Sequence, residues 1–268
     1  LNSGCAAPRM QRRKRALGWG YFSGIRKRRA STFSVNRGDP DRLRRCYLHM
    51  AADNSKIVVL DYGMGNIHSI VKALRLYSDS VEFTADPSAI DDCHALVLPG
   101  DGAFQAAMDH LHGGPMEHLQ NFVASGRMLL GICIGFQILF ENSTEVHGED
   151  GRIIEGTVPG LGWIPGNIVR FSGANLRIPH MGWNTLEVKQ PVDGLENGQW
   201  TYFIHSYHAA NVPAEYVVAE TAYEDIRFPS IVRKDNIIAT QFHPEKSDRA
   251  GLRFLEQWVR SCQSGKNL

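Results

Sequence analysis

Several features that would define other protein classes are missing from this chain of 268 residues. It has no apolar run near the ~20 residues that a bilayer-spanning helix needs, so we do not expect a membrane protein. Its five cysteines are odd in number, widely spaced and without a Cys-x-x-Cys pair, which argues against a zinc or redox site. No apolar stretch typical of a secretory signal stands at its start. We therefore expect reduced thiols and a cytoplasmic protein.

Acidic residues are scarce in the first fifty positions, which hold 2 Asp and Glu against 13 Lys and Arg, leaving 26 acidic and 16 basic residues for the rest. This segment also lacks apolar periodicity, and its clusters Arg12–Arg15 and Arg26–Arg29 repel one another. We predict a basic, disordered extension over residues 1–54 and one domain over residues 55–268. A nucleic-acid-binding arm and an Arg-rich transit peptide are alternatives. We favour a third interpretation, in which the segment is upstream sequence that has been translated by mistake.

After residue 54, short apolar runs alternate with helical patterns. Lys56–Leu60, Ala95–Leu98 and Met128–Ile132 are predicted strands, and residues 67–74 carry apolar side chains on one helical face. This alternation predicts an α/β fold with a single doubly wound, mostly parallel sheet and helices on both faces. Ligands of such sheets bind beyond the carboxyl ends of the strands.

Between about residues 167 and 241 the pattern changes to short strands rich in β-branched and aromatic residues. Trp200–Ile204, Tyr216–Ala219 and Ile237–Thr240 are the clearest of these strands. They predict antiparallel or mixed pairing on one flank of the sheet. A last helix, at about residues 248–261, presents an apolar side that closes the core.

The segment Gly-Ile-Cys-Ile-Gly at 131–135 joins a predicted strand to a predicted helix and places Cys133 at the apex of a tight turn. Glycine on both sides lets the backbone turn sharply, as in the nucleophile elbow of Gly-x-Ser-x-Gly hydrolases. The N-terminus of the following helix would stabilise a reactive thiolate. From these residues alone, Cys133 is either a nucleophile or a buried core cysteine in a glycine-rich turn.

Two further segments supply what a nucleophilic cysteine needs. His243 ends a predicted strand and suits a general base, and Glu245 stands two residues on, where a carboxylate can orient that base. Pro99–Gly102 ends another strand and offers backbone N–H groups for an oxyanion hole. Each segment alone is an ordinary strand end. All three, however, lie at the carboxyl ends of strands in one predicted sheet.

Together these motifs resemble those of the class I, triad-type glutamine amidotransferases. The shared motifs are the elbow Gly-x-Cys-x-Gly-x-Gln at 131–137, Pro-Gly-x-Gly at 99–102 and His-Pro-Glu at 243–245. More specific stretches are Asp-Tyr-Gly-Met-Gly-Asn at 61–66, Pro-His-Met-Gly-Trp-Asn at 179–184, His-Ser-Tyr at 205–207 and His-Pro-Glu-Lys-Ser at 243–247. Over about residues 56–262, the chain is similar to the glutaminase subunits of imidazole glycerol phosphate synthases within that family.

The resemblance implies a catalytic role for each matched residue. Cys133 attacks the carboxamide of glutamine, His243 transfers protons and Glu245 orients His243. The oxyanion is held by N–H groups of the turn at Gly100 and Gly102 and of Ile134. Asp101 stands where the family commonly has an apolar residue, and we expect its carboxylate to point away from the oxyanion.

The resemblance also implies binding residues. The amino-acid end of glutamine is contacted by Gln137, Glu145, Ser206 and Tyr207. The positions at which the family docks its cyclase subunit and passes ammonia are Trp183, Asn184, Tyr202 and Lys246. His205 and His208 are three apart without carboxylate neighbours, which favours structural roles over a metal pair.

The implied activity is hydrolysis of glutamine to glutamate and ammonia through a cysteinyl thioester. Ammonia passes to a separate cyclase subunit that makes imidazole glycerol phosphate and AICAR in histidine biosynthesis. No metal, organic cofactor, nucleic acid or membrane is implied. One alternative is the same glutaminase serving a nucleotide, vitamin or surface-sugar synthase. The alternative from another class is a nucleic-acid binder that uses the basic arm, but such an arm explains none of the triad.

Removing residues 1–49 is expected to leave the melting temperature and glutamine hydrolysis unchanged, because the arm offers no apolar face to pack against the domain. Thermal unfolding and glutamate release, measured on the full and shortened chains, check this. A large loss of either would make the arm part of the fold.

Overall fold

The computed structural model describes residues 55–65, 67–173 and 176–265. The predicted basic extension, residues 1–54, lies outside the described residues, so the domain boundary at residue 55 stays a prediction. None of the helices within the described ranges is both long and apolar enough to cross a membrane.

The described residues form short strands and helices in alternation. The strands are β1 (Ile57–Leu60), β2 (Val81–Thr84), β3 (Ala95–Leu98), β4 (Met128–Ile132), β5 (Phe140–Ser143), β6 (Val146–His147), β7 (Ile153–Ile154), β8 (Val158–Pro159), β9 (Ile164–Arg170), β10 (His180–Thr185), β11 (Glu187–Val188), β12 (Trp200–His205), β13 (Tyr207–Ala210), β14 (Val217–Tyr223), β15 (Ile226–Lys234) and β16 (Ile237–Thr240). The α-helices are α1 (Ile67–Leu74), α2 (Phe104–His112), α3 (Met116–Ala124), α4 (Ile134–Gln137) and α5 (Asp248–Ser264).

The central sheet has eight strands in the order β11-β14-β15-β16-β4-β3-β1-β2. The strands from β16 to β2 pair in parallel, whereas β15, β14 and β11 continue the sheet with antiparallel pairing. β1, β3, β4 and β16 are buried along their whole length, as expected of strands covered on both faces. The predicted mostly parallel sheet with an antiparallel flank is confirmed.

Helices cover both faces of this sheet. Successive side chains of each strand point to opposite faces, so neighbouring residues pack in different clusters. Val59 packs in a core cluster with residues of α1 and α5, and Val58 packs in a second cluster with residues of α2 and α3. The last helix buries Leu255 and Val259 and closes the first of these clusters, as predicted. The carboxyl ends of the parallel strands remain free to carry a site.

The strand near Trp200 differs from the prediction, which placed it on the flank of the main sheet. β12 instead pairs with β10 in a two-stranded antiparallel ribbon, with Trp183 opposite Tyr202. The pairing was missed because the segment His180–Thr185 mixes polar residues with a glycine and has no strand-like alternation. A second sheet, in the order β13-β9-β5-β8, was also not predicted.

Candidate active site

Cys133 lies between the end of β4 and the start of α4 with φ of 54° and ψ of −100°, a backbone conformation that non-glycine residues seldom adopt. Its side chain is buried. Gly135 is required behind it, because a Cβ there would overlap the carbonyl oxygen of Leu98. The glycines predicted for the elbow therefore permit a close backbone approach that holds the turn.

His243 follows β16, and its Nδ1 lies 2.8 Å from Oε1 of Glu245. Both side chains are almost fully buried, at 2% and 3% exposed. A carboxylate bonded to Nδ1 fixes the ring orientation and leaves Nε2 for proton transfer. Nε2 has no nitrogen or oxygen partner among the described residues. The structure thus brings together the base and orienting carboxylate expected from the sequence.

The protonation of His243 is governed by its neighbours. Burial lowers the pKa of the imidazole, but the charge and hydrogen-bonding capacity of Cys133, followed by those of Glu245, outweigh that effect and raise the pKa from 6.5 to about 10. An opposite charge close by favours the ionised form of a group. The arrangement therefore favours a protonated imidazolium at His243, beside the sulfur of Cys133.

A buried serine, Ser247, fixes the backbone around the base. Its hydroxyl donates to the carbonyl of His243 at 2.6 Å and accepts the N–H of Tyr202 at 2.9 Å. The N–H of His243 in turn donates to the carbonyl of Tyr202 at 2.9 Å. The sequence analysis missed this role, although Ser247 ends the quoted His-Pro-Glu-Lys-Ser motif.

The predicted oxyanion turn adopts a conformation that only glycine accepts readily, with φ of 138° at Gly100 and 150° at Gly102. The N–H of Ile134 donates to the Gly100 carbonyl at 3.4 Å, so this predicted oxyanion donor is already paired. The Asp101 carboxylate lies against the exposed Gly65, in the turn after β1. Its orientation agrees with the expectation that it points away from the hole.

The predicted glutamine-binding residues converge near the elbow. Gln137 donates through Nε2 to the Tyr207 carbonyl and to Oε1 of Gln241, both at 3.1 Å, which leaves only its own oxygen for a ligand. Glu145 accepts the N–H of Phe104 at 2.8 Å, and burial raises the pKa of its carboxyl group.

Tyr207 connects these residues to each other. Burial raises the pKa of its hydroxyl, and the charge of Glu145 raises that pKa further. The hydroxyl oxygen is buried without a partner in the part of the chain that the structure describes. Ser206 is half-buried and directly follows β12. Glu145 and the Tyr207 hydroxyl therefore offer an acceptor and an unpartnered hydroxyl for a polar ligand.

The predicted docking residues lie mainly on the β10–β12 ribbon. The rings of Trp183 and Tyr202 are 6.0 Å apart across the two strands. Met181, Trp183 and Trp200 are 59%, 48% and 58% exposed, and we call these three residues the ribbon patch. Met181 and Trp200 were missed, although their spacing of two residues from Trp183 and Tyr202 places them on the same face.

The other two predicted docking residues are held differently. Asn184 donates through its side chain to the Ala222 carbonyl at 2.9 Å, so its amide is engaged within the domain. Lys246 is half-buried, and its backbone N–H donates to the His243 carbonyl at 3.0 Å. Lys246 therefore lies next to the base, whereas Asn184 lies on the ribbon.

His205 and His208 have structural partners. Nδ1 of His205 lies 2.7 Å from the Tyr207 carbonyl, and Nε2 lies 3.0 Å from Nδ1 of His180. Both rings pack against Phe171, and burial lowers the pKa of each imidazole. Neutral, hydrogen-bonded rings in an aromatic cluster fit the structural roles expected for them.

Comparison with known proteins identifies the family to which the chain belongs. Residues 58–261 match the family model "Glutamine amidotransferase class-I". The chain belongs to this glutamine amidotransferase family. The resemblance noted from its motifs is thereby confirmed.

Curated relatives narrow the comparison to one group of glutamine amidotransferases. The chain is 44% identical over 213 residues to "Imidazole glycerol phosphate synthase subunit HisH" of Halobacterium salinarum, covering 78% of this chain and 94% of that protein. The proteins of the same name from Syntrophotalea carbinolica and Methanocaldococcus jannaschii are 43% and 40% identical, and 98% of each is covered.

Solved structures support the same fold. One described as a glutamine amidotransferase superposes with a TM-score of 0.57 at 20% identity and covers 76% of this chain and 98% of its own. A second, of PurLQS from Thermotoga maritima, superposes with a TM-score of 0.53 at 17% identity, with 78% and 98% covered. The amidotransferase domain therefore keeps its architecture at low sequence identity.

Replacing Cys133 with alanine is expected to lower the pKa of the His243 imidazole below about 10, because burial then acts without the opposing effect of the thiolate. The measurement is an NMR titration of the His243 ring protons. Cys93→Ala removes another buried thiol, whose sulfur contacts the Ile90 carbonyl, and should leave the titration unchanged. An unaltered pKa in Cys133→Ala would mean that no thiolate–imidazolium pair forms.

Proposed function

We propose that this glutamine amidotransferase is the glutaminase subunit of an imidazole glycerol phosphate synthase. It hydrolyses glutamine to glutamate and ammonia, and the ammonia passes to a separate cyclase subunit. The observation that carries the proposal is the buried Nδ1–Oε1 bond of His243 and Glu245, together with the effect of Cys133 on the same ring. Relatives named as subunits of this synthase, matched over nearly their whole length, support the choice of pathway.

The reaction proceeds through two proton-balanced steps. The Cys133 thiolate attacks the carboxamide carbon of glutamine, and the His243 imidazolium gives its proton to the departing ammonia as the thioester forms. Neutral His243 then takes one proton from water, whose oxygen attacks the thioester carbon and releases the thiolate and a carboxylic acid, which loses its remaining proton to solvent as glutamate. Glu245 keeps the ring in one orientation through both steps. In this proposal Glu145 and the Tyr207 hydroxyl bind the amino-acid end of glutamine.

Cys133→Ala should abolish synthesis that depends on glutamine and leave synthesis from added ammonia intact, since the thiolate acts only in releasing ammonia. The assay forms imidazole glycerol phosphate from the cyclase substrate, with either nitrogen source, in the complex with the cyclase. Glu245→Gln should be milder than His243→Ala, because loss of an orienting group is partly recoverable. Near wild-type hydrolysis by Cys133→Ala would disprove the proposal.

The oxyanion turn supplies a means of regulating this reaction. In the observed conformation the Gly100 carbonyl faces the N–H of Ile134. The carbonyl of Gly100 and the N–H of Asp101 belong to one planar peptide and point in opposite directions. Rotating that peptide would release the Ile134 N–H and direct a second N–H towards the oxyanion. The positive φ of Gly100 shows that this backbone reaches conformations closed to other residues.

The isolated chain should therefore be a weak glutaminase that its partner activates, because one missing oxyanion donor costs ~10² to 10³ in rate. Lys246→Ala should reduce activation by the cyclase and its bound substrate more than it reduces basal turnover. The matched control is Lys56→Ala. Lys56 immediately precedes β1, at the amino ends of the parallel strands, whereas the site lies at their carboxyl ends. Glutamine turnover with and without the cyclase is measured for all three proteins. Full activity of the wild-type chain alone would contradict the gate.

A further inference from the structure

Gln241 is a fully buried residue between β16 and His243 that the triad does not use. Its Nε2 lies 3.9 Å from the Cys133 sulfur in donor geometry. Its Oε1 accepts an N–H from Gln137 at 3.1 Å. The carboxamide of Gln241 thus bridges the nucleophile and a second buried amide.

The neighbours of Gln241 determine which end of its amide faces the sulfur. Gln137 also approaches the Tyr207 carbonyl at 3.1 Å, so the atom of Gln137 between these two contacts must be its NH₂ group. An NH₂ group needs an acceptor, and the atom of Gln241 that meets it is therefore the oxygen. The nitrogen of Gln241 is left to face Cys133.

We propose that Gln241 is a further catalytic residue, whose amide N–H donates to the Cys133 sulfur and stabilises the thiolate that attacks glutamine. This inference rests on the proposed function. The Gln241 amide is then a second hydrogen-bond donor to the Cys133 sulfur, besides His243. Gln137 becomes a positioning residue, because its N–H groups hold Gln241 and the Tyr207 carbonyl.

The need for such a donor follows from the other neighbour of the sulfur. The carbonyl oxygen of Ile204 lies 3.9 Å from Sγ and can accept a hydrogen bond only from the neutral thiol. As the thiol ionises, that contact turns from attractive to repulsive. A donor at a similar distance offsets the repulsion, because hydrogen bonds to a charged group stabilise the charged form.

The main chain fixes the separation between Gln241 and Cys133. The N–H of Cys133 donates to the Thr240 carbonyl at 2.8 Å, and the N–H of Gln241 donates to the Ser230 carbonyl at 2.9 Å. The residue before Gln241 is therefore bonded to the nucleophile's own backbone. The donor is held in place before glutamine arrives, as expected of a preorganised catalytic group.

The test measures how the alkylation rate of Cys133 by iodoacetamide depends on pH, because only the thiolate is alkylated. Gln241→Met keeps the side-chain length and loses the amide, whereas Gln241→Asn keeps the amide on a shorter side chain. Both variants therefore remove the amide N–H donor from its position next to the Cys133 sulfur. Ser230→Ala, a buried polar residue on the adjacent strand, is the control. Mass spectrometry of the Cys133 peptide gives the rate, with Cys262 as a reference thiol in the same digest.

Both Gln241 variants should move the midpoint of alkylation up by about one pH unit, which is a tenfold loss of thiolate below that midpoint, because a hydrogen bond to a charged group is lost. Ser230→Ala should match the wild type. A folded Gln241 variant with the wild-type midpoint overturns the inference, and if thermal melting shows that one variant does not fold, the other decides.

The same experiment separates this inference from the proposed function. If Cys133 of the wild-type chain reacts no faster than Cys262, and the complex releases no glutamate from glutamine, the proposed function itself fails. If the wild-type thiol is reactive and glutamine is hydrolysed, while the Gln241 variants keep the same midpoint, only the role of Gln241 is refuted.

Discussion

The close contact between the backbones of α4 and β3 is the constraint on which the site depends. Gly135 approaches the Leu98 carbonyl so nearly that no side chain fits between them. Leu98 immediately precedes the oxyanion turn, and Gly135 belongs to the elbow, two residues after Cys133. One contact therefore holds the nucleophile in its strained conformation and brings the oxyanion turn beside it. Strain of this kind persists at active sites because the surrounding structure over-determines it.

Burial gives the site its reactivity and makes each polar partner indispensable. His243 is removed from water, so its imidazolium depends on Cys133 and Glu245 to keep its charge. Breaking a buried pair by removing one member leaves an uncompensated charge, which is strongly destabilising. Ser247 and Tyr202 add main-chain bonds that prevent the His243 loop from relaxing towards solvent. The same environment that activates the triad also restricts how it can move.

Local patterns in the sequence predicted strands β1, β3, β4 and β16, helices α1, α4 and α5 and the order of the triad residues, because buried strands and a glycine-flanked cysteine leave signals over a few residues. The strand β2 and the helices α2 and α3 were not predicted. The β10–β12 ribbon could not be predicted in this way, since its register joins segments about twenty residues apart and His180–Thr185 has no strand-like alternation. The pairing of Ile134 with Gly100 depends on the orientation of one peptide, which composition does not encode. Gln241 looked like an ordinary strand end because its partners, Gln137 and Cys133, are more than a hundred residues away.

The β12 strand has two separate roles, one for its outward-facing side chains and one for its backbone. Trp200 and Tyr202 are directed to the ribbon's outer face, while the backbone of Tyr202 holds His243 and the carbonyl of Ile204 lies near the nucleophile. Substitutions on the outer face leave these inner contacts intact, because the contacts use only the backbone of the strand. An insertion or deletion within the strand, by contrast, would shift every inner contact at once. The surface that the ribbon presents can therefore be altered by substitution at fixed length, whereas the length of β12 is tied to the geometry of the nucleophile and its base.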